Sequence, residues 1–306
     1  MAHHTKNAPL PAFGAEESPY CPYDSARVVV LPVPYEGTVS YGRGAAQGPR
    51  AILEASTQLE QYDEELDWCV DSVGLHTLPA LKLERLTPAK VTAAIHKAAL
   101  GPARDGKFLL TLGGEHSITH GVLAALLEAR EGRPFSVLQI DAHADLRQRY
   151  NGTPHSHACV MARAHDLGLR LVQVGIRAVC EEERSFMREQ GLEPQVFWDH
   201  TLAARPEAEW IEDAVSRLEA DVYLTVDVDG LDPAIMPATG TPVPGGLGWH
   251  TALHLLRRAA ESRHVIGADV MELAPMSGHH APNFLAARLA YKMLGYSLRG
   301  EHGRNT

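Results

Sequence analysis

Cysteine is scarce in this chain: four in 306 residues, Cys21, Cys69, Cys159 and Cys180, with no two at C-x-x-C spacing. A disulfide-stapled scaffold is excluded, and a zinc knuckle or thioredoxin-like motif has no support. So thin a scatter fits a reducing compartment. Long apolar runs are missing too. The longest, Val28 to Pro34, is interrupted by proline and falls far short of the ~20 residues of a membrane-spanning helix. Residues 1–25 contain no apolar stretch of the kind a secretory signal needs, so the expected location is cytoplasmic, with no membrane partner. Positive charge is also in deficit, 28 Lys and Arg against 38 Asp and Glu, a formal net charge of −10. Binding to nucleic acid, which depends on clustered Lys and Arg, is disfavoured. Such a charge serves solubility, and it would also draw a cationic substrate.

What is present is an ordinary globular balance, 45% hydrophobic and 22% charged residues. Short runs rich in Val, Ile and Leu recur at Arg27–Pro32, Lys107–Leu112, Ser136–Ile140, Leu171–Val174, Gln195–Trp198, Val222–Val228 and Val265–Met271. They read as strands buried on both faces. Amphipathic stretches at about 47–58, 88–101, 117–131, 180–190, 206–219, 249–262 and 282–295 read as helices between them. The alternation predicts an α/β protein with a mainly parallel sheet covered by helices on both sides. Residues 1–25, rich in Pro and Ala, are expected to form an irregular arm. With no low-complexity linker or repeat beyond them, residues 26–306 are expected to form a single catalytic domain.

Ligands of open parallel sheets bind outside the carboxyl ends of the strands. The unusual polar residues stand there. Val137–Ile140 runs into Asp141-Ala142-His143-Ala144-Asp145. In extended chain, residues i, i+2 and i+4 face one way, so two carboxylates and an imidazole converge with small alanines between them. Without a cation among them the carboxylates would repel until one was forced to protonate. A second strand ends in Asp227-Val228-Asp229, which repeats the device, and a third ends in Gly113-Gly114-Glu115-His116-Ser117. Alone, a D-x-D pair reads as a solvated turn or a helix cap. Three such ends together read as a metal centre made of His116, Asp141, His143, Asp145, Asp227 and Asp229. Six ligands are too many for one ion with an open catalytic position, and they suit two ions sharing carboxylates. Oxygen-rich ligation with imidazole and no thiolate favours Mn²⁺, with Co²⁺, Fe²⁺ or Ni²⁺ also compatible. Asp232, before Pro233, reads as a turn residue.

The segments Gly113–Ser117, Val137–Asp145 and Thr225–Gly246, the last containing D-V-D-x-x-x-P-x-x-x-P-A, resemble those of the ureohydrolase family, which includes arginase and agmatinase. The resemblance spans about Pro34 to Tyr296. It implies a three-layer α/β/α, arginase-like fold, two Mn²⁺ per subunit, and hydrolysis of a guanidinium group to urea and an amine. His116 and Asp145 correspond to ligands of one ion, His143 and Asp229 to ligands of the other, and Asp141 and Asp227 to the bridging pair. Asp145 would also orient the attacking water. Glu272 corresponds to the carboxylate that binds the substrate guanidinium. His157, within Ser156-His157-Ala158-Cys159, corresponds to a mobile proton-transfer histidine, with His155 as the alternative. Glu115 falls within the family's G-G-[DE]-H-S pattern and is not assigned to the metals. A metal pair that brings the pKa of water from 15.7 toward about 7 removes roughly 12 kcal/mol of ionisation cost.

Tyr35–Ala45 and Tyr150–Cys159 resemble agmatinase segments, and Pro154-His155-Ser156-His157-Ala158 stands where arginases carry G-N-x-H-G. Agmatine is therefore the expected substrate, cleaved to putrescine and urea. Alternatives are N1-aminopropylagmatine, guanidinobutyrate, arginine or guanidine, a related formimidoyl-group or amide hydrolase, and a non-catalytic ligand-binding member. The family implies a homo-oligomer, trimer or hexamer.

Overall fold

A computed structural model describes residues 10–14 and 21–302, the side chains of 300–302 excepted. Ten strands are present among them: β1 (Val28–Val33), β2 (Tyr62–Asp63), β3 (Trp68–Cys69), β4 (Leu75–Thr77), β5 (Phe108–Gly113), β6 (Ser136–Ile140), β7 (Arg170–Ile176), β8 (Val196–Trp198), β9 (Asp221–Asp227) and β10 (His264–Met271). Eight form one sheet in the order β4-β1-β5-β10-β9-β6-β7-β8, and every pairing in it is parallel. The β2–β3 pair is a separate antiparallel hairpin.

Three interior strands, β1, β5 and β6, are buried at every position, as the apolar runs predict, and β7, β9 and β10 are buried toward their carboxyl ends. Helices therefore cover both faces, and each face has its own core. One contains Ile52, Leu53, Trp210, Leu256 and Leu294, from helices Gly48–Ser56, Glu207–Ser216, Trp249–Ser262 and Ala281–His302. The other contains Ile95, Val122, Met161 and Met187, from Pro88–Arg104, Ile118–Ala129, Val160–Asp166 and Glu181–Glu189. This is the three-layer α/β/α fold.

Residues 1–9 and 15–20 of the expected arm lie outside the described residues. Its remaining parts are not all irregular: Tyr23–Ser25 is a 3₁₀ turn, and Phe13 is buried, its N–H donating to Thr77 Oγ1 at 2.8 Å. No described helix is long and apolar enough to cross a membrane.

The sheet order decides where the site lies. β5, β10, β9 and β6 are consecutive and central. Their carboxyl ends are level, with Val270 opposite Leu112 and Val226, and Val226 opposite Ile140. The residues that follow each of them meet above the middle of the sheet.

Candidate active site

His116 follows β5, Asp141, His143 and Asp145 follow β6, Asp227 ends β9 with Asp229 after it, and Glu272 follows β10. Two groups of donor atoms form there. His116, Asp141 and Asp145 offer one set, and Asp141, His143 and Asp229 another, each within 4.8 Å of one another. Asp141 belongs to both. Asp227 stands beside the first group, its Oδ2 at 3.4 Å from His116 Nδ1, while its Oδ1 accepts the Asp229 N–H at 2.9 Å.

Local backbone geometry aims these side chains. Asp141 Oδ1 accepts the His143 N–H at 2.6 Å, and Asp229 Oδ1 accepts that of Ala142 at 3.1 Å. Asp145 and Glu272 occupy positive φ, 53° and 64°, a strained choice for residues other than glycine. The turn at Asp145 is held by its carbonyl, which accepts the N–H groups of Met161 and Ala162. Glu272 is turned back so that Oε1 accepts the His116 N–H at 2.7 Å. His157 lines the same pocket, in a short 3₁₀ turn over His157–Cys159. The pocket walls also include Val39, Ser40, Tyr41, Gly42, Gly240 and Thr241. His155, the alternative to His157, points elsewhere: it stacks on His120 with ring centroids 5.8 Å apart and is absent from the pocket wall.

Electrostatics mark the centre as out of balance. Burial, then the Asp141 charge, pushes the Asp145 carboxyl up to about 7. Burial followed by repulsion from Asp229 and Asp141 raises Asp227 well above the carboxylate range, and burial with Glu115 does the same to Glu272. Burial would lower the imidazoles, yet hydrogen bonding to Asp141 and Asp229 lifts His143 to about 12. Burial, reinforced by the charges of His143 and His116, holds His157 down at about 4. Buried carboxylates in this number need protons or cations among them.

His116 shows how a cation would be held. Thr225 Oγ1 donates to Asp269 Oδ1 at 2.6 Å. A hydroxyl has one hydrogen, so toward His116 Nε2, at 2.8 Å, Thr225 is an acceptor and Nε2 carries the proton. In the neutral ring Nδ1 then turns a lone pair toward Asp141, Asp145 and Asp227, at 3.1, 3.3 and 3.4 Å. It is fully buried and has no hydrogen-bond partner. That position takes a proton or a metal ion. Against the downward pull of burial, hydrogen bonding to Asp141, Asp145 and Asp227 favours a proton there. A divalent ion can replace it, since a carboxylate-anchored imidazole of fixed tautomer is the usual support of a metal-binding histidine. The residues present thus fit a divalent pair.

Several supports were not singled out on the sequence. Asp269 accepts from Thr119, Tyr223 and Thr225. Gln139 Nε2 donates to Asp141 Oδ2 at 2.6 Å. Arg177 reaches the Asp229 carbonyl at 2.6 Å and that of Val243 at 3.0 Å. Gln139 and Thr225 each stand two residues before a site aspartate on an extended strand, so the alternation that groups the aspartates also points to them.

Fold and site together define a three-layer α/β/α protein with paired His–carboxylate clusters able to bind metal at the carboxyl edge of a parallel sheet. The sequence pattern of the arginase family matches residues 26–295, and the chain belongs to that family: it is a ureohydrolase, a hydrolase acting on C–N bonds of linear amidines. It is 46% identical over 281 residues to an N(1)-aminopropylagmatine ureohydrolase of Synechocystis sp., covering 90% of each chain. It is 38% identical to a second, from Thermus thermophilus, over 92% of this chain and 93% of the other. Among solved structures, the agmatine ureohydrolase of Thermoplasma volcanium superimposes with a TM-score of 0.82 at 30% identity, over 92% of this chain and 93% of that one.

Proposed function

We propose that this chain hydrolyses the terminal guanidino group of N1-aminopropylagmatine, releasing urea and the free polyamine. The observation that carries a guanidino substrate is the buried Glu272 carboxylate beside two His–carboxylate clusters on one pocket. A planar cationic fork is matched by a carboxylate, and Glu272 Oε2 is left free of the bond that holds Oε1 to the His116 amide. His116 and Asp145 would hold one divalent ion, His143 and Asp229 the second, and Asp141 and Asp227 both. Mn²⁺ suits this oxygen-rich donor set, with Co²⁺, Fe²⁺ or Ni²⁺ as substitutes. When bound, such a pair supplies Lewis-acid activation of water near neutral pH. Asp145 orients that water, Glu272 aligns the guanidinium carbon, and His157 carries a proton to the departing amine.

The rim of the pocket bears on the length of the substrate. Tyr41 is 83% exposed at the mouth of the pocket, where the terminal ammonium that the aminopropyl arm adds, a third cation beyond the two of agmatine, can lie over its ring, a contact of ~0.5–1 kcal/mol at an exposed site. Agmatine, the substrate expected from Tyr35–Ala45, is the second reading, and the likeness to the Thermoplasma volcanium enzyme favours it. Urea release with added Mn²⁺, compared as kcat/KM across N1-aminopropylagmatine, agmatine, arginine, guanidinobutyrate and guanidine, decides. A higher value for agmatine selects the second reading, and no urea from any of them sinks both. The expected cytoplasmic location and trimeric or hexameric assembly belong to the same reading and are tested by fractionation and sedimentation.

A further inference from the structure

We propose that Glu115 is a positioning residue that, through the Thr38 hydroxyl, fixes His157 as the tautomer with its proton on Nδ1 and a bare Nε2. The proposal rests on the reading of His157 as the proton-transfer group.

Glu115 is fully buried, next to a site residue, and belongs to neither donor cluster. The chain brings it under the lip of the pocket. Gly114 donates its N–H to Val33 and Glu115 donates its own to Tyr35, at 3.0 and 2.9 Å. The approach is so close that a Cβ on Gly114 would stand 1.9 Å from the Tyr35 carbonyl oxygen. One carboxylate oxygen of Glu115 then takes the N–H groups of Gly37 and Thr38, at 2.7 and 2.6 Å. The other takes the hydroxyls of Thr38 and Ser117, at 2.7 and 2.6 Å. Four donors fill the four lone-pair directions of a carboxylate and oppose, without cancelling, the upward push of burial on its carboxyl.

The consequence lies one bond further on. The single hydrogen of Thr38 is committed to Glu115, so its oxygen can only accept from His157. It accepts the His157 backbone N–H at 3.1 Å and lies 3.1 Å from Nδ1. Nδ1 must therefore carry the ring proton to make that bond; Ser156 Oγ, 3.4 Å away, can rotate its hydrogen to suit either tautomer. Nε2 faces Ser40 Oγ at 3.3 Å, on the pocket side, where Ser40 is free to donate to it. A bare nitrogen toward the substrate can take a proton up and hand it on, whereas an N–H there could only give one. The arrangement repeats what Asp269 and Thr225 do for His116, carboxylate to hydroxyl to imidazole, with the ring nitrogens exchanged.

The test is imidazole ¹⁵N spectroscopy of the full chain loaded with a diamagnetic divalent ion, zinc, the His157 signals being assigned by their loss in His157→Asn. The wild type should show a protonated Nδ1 and a bare Nε2, and Thr38→Ser should keep both. Glu115→Gln should keep the backbone clamp on its oxygen and present its amide to Thr38. The hydroxyl must then donate to Nδ1, so the tautomer should invert. In Mn²⁺-loaded enzyme, kcat of Glu115→Gln and Thr38→Val should fall by up to the ~10²–10⁴-fold that a general acid–base group contributes, with KM changed little and Thr38→Ser restoring most of kcat. A wild-type Nε2–H form, or Glu115→Gln with unchanged tautomer and kcat, overturns the proposal. Should Thr38→Val fail to fold, Glu115→Gln carries the test alone. If His157→Asn keeps full kcat, the proton-transfer role is wrong even where the tautomer is as stated, so the two failures are separable.

Discussion

Thr225→Val removes one oxygen from a fully buried site and is close to isosteric, so its effect measures the relay that ends on His116. The variant leaves the His116 Nε2–H, now 2.8 Å from a hydroxyl, with nothing to donate to, at a cost of ~1–3 kcal/mol. It takes one of three donors from Asp269, which keeps Thr119 at 2.8 Å and Tyr223 at 2.9 Å. Part of the first cost falls on metal affinity, because a ring freed of its anchor no longer aims Nδ1 at the three carboxylates. Loss of such an outer partner typically weakens a metal by about 10–100-fold, or about 1.4–2.7 kcal/mol at 1.36 kcal/mol per decade, which agrees with the hydrogen-bond cost. Chelator-buffered Mn²⁺ titration should therefore show one site weakened by about 10–100-fold. The site built on His143 and Asp229 should move less, since it shares the bridging carboxylates but not His116 with the first. Thr225→Ser should titrate like the wild type. Unchanged affinity at both sites in a Thr225→Val protein with a normal urea midpoint would refute the reasoning, as would a serine variant no better than valine.

Two further predictions test other parts of the structure. Asp141 is common to both clusters, so Asp141→Ala should lose both ions by metal analysis and lose urea release with them; a variant with two ions per chain and full turnover would remove the ligand assignment. Partial burial raises the Glu65 carboxyl, but its bonds to Tyr296, Lys292 and Arg257 prevail and hold it at about 2 against an ordinary 4.5. A depressed carboxylate stabilises above its unfolded pKa and loses that stability as pH falls through the folded one. Glu65 is exposed to solvent, so screening leaves its ion pairs worth about 1 kcal/mol or less. Glu65→Gln should thus lower the unfolding free energy by about that much at neutral pH, and the gap to wild type should close between about pH 4.5 and 2; a gap constant across that window counts against the network.

Seven strands and seven helices were legible, the strands as short apolar runs and the helices by their amphipathic period. All seven expected strands stand within a residue or two of their places, from Val28–Val33 to His264–Met271. The edge strand Leu75–Thr77 and the two-residue arms of the Tyr62–Cys69 hairpin are too short to show alternation. The helices Val160–Asp166 and Asp199–Leu202 span fewer than about two turns, too few to show a stripe. The positive φ of Asp145 and Glu272 has no local signature either, since neither is glycine and the strain is imposed by what surrounds them.

The deeper omission concerns the row beneath the site. Thr111, Asp269, Thr225, Gln139 and Gln173 are in register across β5, β10, β9, β6 and β7. All are buried in strands that otherwise read as apolar. Neighbours in register point to the same face, so this is one polar line across the middle of the sheet. Its members bond to one another and upward, Thr225 to Asp269 and His116, Gln173 to Gln139, and Gln139 to Asp141. Gln139 and Thr225 could be suspected from alternation within their own strands. Asp269 could not, because its role depends on lying between Thr111 and Thr225, and that follows from β10 sitting between β5 and β9 though it comes last in the chain. The groups that face substrate are thus encoded strand by strand, while the groups that orient them are encoded in the strand order. A single buried threonine in that row can therefore decide how a metal-binding imidazole points.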